Sequence, residues 1–152
     1  MNVTSTDQTN PEGNAVKTKI LVPVNFSKQS EMALDFALTH AQSAHAEIYL
    51  FHVFEKKIGD FRIQDRLNEE SMDRMKEMAL QAIERVSTLG VVNAIEQVHR
   101  RLAHGKAATE ILKMADAIAA DMLIMGAPQS SAFKKFATSA PCTVVLIREK
   151  RI

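Results

Sequence analysis

The stretch of this 152-residue chain best suited to hold an anion is Gly126, Ala127 and Pro128, followed after Gln129 by Ser130 and Ser131. A glycine lets a ligand approach the backbone, and serines opening a helix add hydroxyls to its free N–H groups. The apolar run Met122–Met125 ahead of it reads as a buried strand, and open α/β sheets bind ligands just beyond the carboxyl ends of their strands. The chemistry implied is the binding of a phosphate-bearing ligand. The plainer reading of Ser131 is a helix N-cap, and Lys134 and Lys135 read as a solvated face.

Catalytic chemistry has little to build on. His40, His45, His52, His99 and His104 show no metal-ligand spacing, so no metal site is expected. The lone cysteine, Cys142, follows Pro141 at a strand start, with no basic cluster to lower its pKa, and reads as buried and inert. No G-x-S-x-G elbow and no Walker A loop occurs. The chain is therefore not expected to be an enzyme.

The elements that would position the Gly126 turn alternate between strand and helix. Residues 20–24 are a short β-branched run suited to a strand buried on both faces, with Pro23 at its end. Asn25-Phe26-Ser27 reads as a turn, capped by Ser27 or Ser30. Residues 31–44 carry apolar side chains at helical spacing, and 48–53 form a second buried strand. Residues 55–68 are charged without a clear period and read as a loop over the carboxyl end of the sheet. A helix is expected over 69–89, with Met72, Met75 and Met78 as core filler and Gly90 just past its end. A weaker strand over 94–103, a helix over 107–119, the Met122–Gly126 strand, a short helix over Ala132–Ser139 and a final strand Thr143–Ile147 complete the pattern. This predicts a five-stranded, mostly parallel, doubly wound α/β sheet with helices on both faces.

Composition narrows the partners. Net charge is +1 with His neutral, and about a quarter of the residues are charged. Neither a nucleic-acid surface nor an anionic membrane is indicated. No apolar run reaches the length of a membrane span. One cysteine excludes an intrachain disulfide and fits a reducing cytoplasm. Residues 1–18 are polar and read as a disordered tail, leaving one domain over 19–152.

Five stretches in order are similar to the universal stress protein family. Ile20-Leu21-Val22-Pro23-Val24-Asn25-Phe26-Ser27 resembles its opening "ILVPVDFS", and Leu50-Phe51-His52-Val53 resembles "LLHV". Residues 105–112 are similar to "GxPAxEIL", 120–126 to "ADLIVMG" and 140–147 to "APCPVLVV". The resemblance implies strand order 3-2-1-4-5 and a homodimer paired through Thr143, Val144, Val145, Leu146 and Ile147. It further implies a nucleotide cleft whose candidate residues are Pro23, Val24, Asn25, Val53, Gly126, Ser130 and Ser131. Members that bind ATP grip its phosphates with a G-x2-G-x9-G-[ST] loop. Here the segment from Gly126 to Ser130 is nine residues shorter, the middle glycine is gone, and Ser130 replaces the last one. The family's first-strand aspartate is Asn25.

The expectation is thus a cytoplasmic, dimeric regulatory or interaction module with little or no ATP binding and no required cofactor, acting on an unidentified protein partner. The alternative is a degenerate cleft that still holds AMP or ATP.

Overall fold

The computed structural model describes residues 17–44, 46–86, 98–128 and 132–150. The elements in order are β1 (Lys19–Pro23), α1 (Lys28–Ala44), β2 (Glu47–Phe54), α2 (Phe61–Val86), β3 (Val98–His104), α3 (Ala107–Ala117), β4 (Met122–Gly126), α4 (Ala132–Ser139) and β5 (Thr143–Ile147). The five strands form one sheet of order β3-β2-β1-β4-β5, parallel at every pairing. The expected α/β architecture and strand order are both observed.

Strand residues alternate between two cores because successive side chains leave opposite faces of a pleated strand. Ile20, Val22, Ile48, Leu50 and Ile124 pack under α1 and α2, with Ala33, Leu34, Met75 and Ala79 above them. Leu21, Phe51, Leu123 and Met125 face the other way, onto Ile111 and Ala115 of α3 and Phe136 of α4. Burial on both faces explains the continuous apolar runs at 20–23 in β1, 48–51 in β2 and 122–125 in β4. Met75 and Met78 are buried and Met72 packs against them, so this cluster is core. Pro23 ends β1, as its missing N–H requires.

Two helices begin earlier than their apolar period indicates. The α1 helix starts at Lys28, not at residue 31, because the Ser27 hydroxyl accepts from Ser30 N at 3.2 Å and caps it. The larger correction concerns 55–68, expected as a loop: α2 begins at Phe61. Asp60 caps it, its carboxylate accepting from Arg62 N at 2.9 Å and its carbonyl from Gln64 N at 3.0 Å. Residues 61–70 are almost all exposed or half-exposed, so nothing selects an apolar stripe there. The helix propagates into that segment from the buried turns that follow, since extension is far cheaper than nucleation. The smaller differences are at element ends: β2 gains Glu47 and Phe54, and α3 stops at Ala117. The expected end of α2 near Gly90, the start of the third strand at 94–97 and most of the expected tail lie outside the described residues. Thr18, just ahead of β1, already bonds to β2, its carbonyl accepting from Glu47 N at 2.8 Å.

Among the described residues, no helix is long and apolar enough to cross a membrane.

Candidate functional site

The order of the strands reverses between β1 and β4: β1 leads to β2 and β3 on one side, and β4 to β5 on the other. The loops leaving two such strands part company, and a crevice opens at their carboxyl ends. Here it is a cavity of about 530 Å³. Pro23, Val24, Asn25, Val53 and Gly126, five of the seven candidate residues, lie on its wall. Ser130 and Ser131 lie outside the described residues.

The turn after β1 is built by a small hydrogen-bond network. The Asn25 Oδ1 accepts from Ser27 N at 3.1 Å and from the Ser30 hydroxyl at 2.6 Å. Ser30 Oγ in turn accepts from Asn25 N at 2.9 Å. This is the Asx-type turn expected of an Asn at that position, closed by a serine that is buried. Phe26, inside the turn, adopts φ of 63°, a conformation that non-glycine residues rarely hold. Its ring is clamped by Arg74, whose guanidinium carbon sits 3.9 Å from the ring centroid, and by His52 at 4.8 Å between centroids.

His52 has a defined role in this wall. Its Nδ1 lies 2.8 Å from the Val24 carbonyl oxygen, which can only accept, so Nδ1 carries the proton. Phe54 meets it edge-on at 4.8 Å. The histidine thus spans the gap where β1 has ended and β2 continues, packed between Phe26 and Phe54.

Gly126 is required by packing before any ligand is considered. A Cβ built on it would stand 2.8 Å from Gln29 Cβ and 3.3 Å from the Gln29 backbone carbonyl carbon. Its φ is not in the left-handed region. The glycine therefore lets α1 lie close over β4, which is a structural reason for it independent of a phosphate.

Anion sites near the cavity are largely filled from within. The α1 N-terminus is occupied by Ser27. The α3 N-terminus, whose own cap Lys106 makes no side-chain bond, receives the Glu55 carboxylate: Oε1 accepts from Ala107 N at 2.9 Å. Lys28 lines the cavity, but its ammonium pairs with Glu149 at 3.2 Å on a well-exposed surface. The connection from β4 to α4 spans only residues 127–131, and Ala127 N donates to Ile147 O at 2.8 Å, which ties its start to β5.

Glu55, Ser30, Phe26 and His52 were not picked out as site residues by motif reading. Glu55 follows Val53 by two positions and meets α3 only through a contact across 52 residues of sequence. Ser27 and Ser30 at three-residue spacing were visible as alternative caps, but their joint hold on Asn25 was not.

Among the described residues, no group of three or more His, Cys, Asp or Glu could hold a metal ion. Cys142 is half-buried, more accessible than expected, and burial pushes its thiol pKa up, with Asp121 adding to the effect.

A parallel five-stranded sheet of order 3-2-1-4-5 with a crevice at its switch point defines a doubly wound α/β class. Within that class, the model of the "Universal stress protein family" matches residues 17–148. This chain belongs to the universal stress protein family. No curated protein sequence matches it significantly. Among solved structures, universal stress protein UspA from Lactobacillus plantarum is 23% identical, with 89% of this chain and 100% of that chain covered and a TM-score of 0.59. A universal stress family protein from Burkholderia pseudomallei is 25% identical, covering 86% and 95%, with a TM-score of 0.63. The universal stress protein from Archaeoglobus fulgidus in complex with dAMP is 19% identical, covering 87% and 98%, with a TM-score of 0.60.

Proposed function

We propose that this universal stress protein is a cytoplasmic, non-catalytic regulatory module that does not hold ATP by its phosphates. The observation that carries this is the short β4–α4 connection, residues 127–131, with Ser130 where the family's loop has a glycine. A triphosphate needs several converging backbone N–H groups, and glycines in a long loop supply them. The filled N-termini of α1 and α3 support the same reading. Titration calorimetry with Mg-ATP tests it. The expected result is no binding below the millimolar range; micromolar affinity, or ATP carried through purification, overturns it.

The module acts as a homodimer through β5. That strand is at the sheet edge, its composition is apolar, and Leu146 is 38% exposed. An unpaired apolar edge is a liability that pairing removes. Light scattering at micromolar concentration should give a dimer mass; a monomer refutes this assignment.

A second reading is favoured by the cavity itself: the cleft takes a mononucleotide such as AMP. Its volume lies in the range of small-molecule sites, and the Archaeoglobus relative is described in complex with dAMP. Substituting Val53→Trp, which fills the wall, should abolish AMP binding. Unchanged affinity would count against the cleft as the site. Gly126 is unsuited to this test because a side chain there strikes α1.

A further inference from the structure

The polar groups at the cleft floor are unequal in kind. The Asn25 side chain has one acceptor and one donor group. Its acceptor is already spent, held by Ser27 N at 3.1 Å and by the Ser30 hydroxyl at 2.6 Å. A backbone N–H can only donate, so the atom facing Ser27 is the oxygen, and the amide orientation is settled by chemistry. The amide nitrogen has no partner among the described residues, and Asn25 is an exposed residue lining the cavity. The nearby Val24 carbonyl accepts from His52 Nδ1 at 2.8 Å. At Asn25 itself, the group left free to meet a ligand is a donor.

A free asparagine side chain reads adenine by a paired contact, its oxygen accepting from N6–H and its nitrogen donating to N7. That contact needs both ends of the amide, and here only the nitrogen is available. A 6-keto purine presents two adjacent acceptors, O6 and N7, on the same edge. From this match we infer that the cleft selects 6-keto purine mononucleotides over 6-amino ones, with Asn25 as the residue that sets the choice. The inference rests on the reading of the cleft as a mononucleotide site and specifies its base. An aspartate at this position would still accept from Ser27 N and Ser30 Oγ. It would add acceptor capacity toward the cavity in place of a donor, reversing the preference without dismantling the turn.

The test is calorimetric titration of the full chain and its Asn25→Asp variant with IMP and with AMP. Both ligands carry the same ribose and phosphate, so only the base edge differs. The expected result is IMP binding at least tenfold tighter than AMP to the unaltered protein, with the ratio collapsing or inverting in N25D. AMP binding as tightly as IMP to the unaltered protein overturns the inference while leaving the mononucleotide cleft standing. So does an IMP preference that N25D leaves unchanged. Binding of neither ligand at millimolar concentration overturns both readings together.

Discussion

Replacing Gly126 by alanine separates packing from ligand binding at the residue that most invites a phosphate reading. The new Cβ would stand 2.8 Å from Gln29 Cβ, well inside ordinary carbon–carbon contact. Gln29 cannot rotate away, because its Cβ is fixed to the α1 backbone and its carbonyl carbon is only 3.3 Å off. Either α1 lifts from β4 or β4 bends, and overpacking of this kind costs about 1–3 kcal/mol. The alanine recovers about 0.4–1 kcal/mol through a less flexible unfolded chain, because the native φ is compatible with a side chain. The net expectation is a loss of about 1.5 kcal/mol in ligand-free protein, a fall in Tm of about 3–6 °C for a chain of this size. Urea and thermal denaturation without nucleotide read this directly. The partner change Gln29→Gly removes the opposing Cβ, so the two substitutions should couple by about 1 kcal/mol in a double-mutant cycle. A Gly126→Ala protein as stable as the original, or additive effects in the cycle, would refute the packing account and return Gly126 to ligand approach alone.

Other expectations follow from named contacts. Ala119, just past α3, holds φ of 53° while its N–H and that of Ala120 bond back to Asp116 and Ala115 carbonyls. Ala119→Gly should stabilise the protein by about 0.5–1 kcal/mol, seen as a higher urea midpoint. Ser30→Ala removes both the donor to Asn25 Oδ1 and the acceptor of Asn25 N. It should cost about 1–3 kcal/mol and shift the backbone resonances of 25–27, and an unshifted turn would contradict the network. Arg85 makes two bonds to Asp35 across α1 and α2, and that contact raises its pKa. Both side chains are about a third or more exposed, so a double-mutant cycle should give at most about 1 kcal/mol, shrinking in molar salt. The Cys142 thiol is held protonated by burial and then by Asp121, so its labelling by a disulfide reagent at neutral pH should be slower than that of a free thiol. Because this pKa is raised in the folded state, the associated stability is complete below the ordinary thiol range and declines as pH rises through the shifted value.

Much of the architecture was legible in the chain itself, for reasons that are local. The runs at 20–24, 48–53 and 122–126 are apolar throughout apart from His52, as strands buried on both faces require. Helical spacing of alanines and leucines in α1, and of Met75, Ala79 and Ala82 in α2, follows from their shared core. Residues 61–68 carry no such pattern because an exposed helical turn has no apolar face to bury. Its signal was a cap at Asp60, weak without the geometry around it. At the candidate site, Pro23, Val24, Asn25, Val53 and Gly126 could be named from motif resemblance, and the strand order places them on one cavity wall.

What the sequence determined alone was the alternation of buried strands and amphipathic helices, and the short segment from Gly126 to Ser131 with its missing glycines. Both are facts of composition and spacing, set by residues close together in the chain. Which polar atoms remain free was set only on folding. Asn25 looked equally able to accept or donate until Ser27 and Ser30 were seen to hold its oxygen. Glu55 looked like a loop charge until Ala107, far along the chain, was found against it. Gly126 looked like room for a ligand until Gln29 proved to fill that room. Hydrogen-bond capacity and free space are shared among neighbours that the chain brings together only on folding, so neither can be read from one segment at a time.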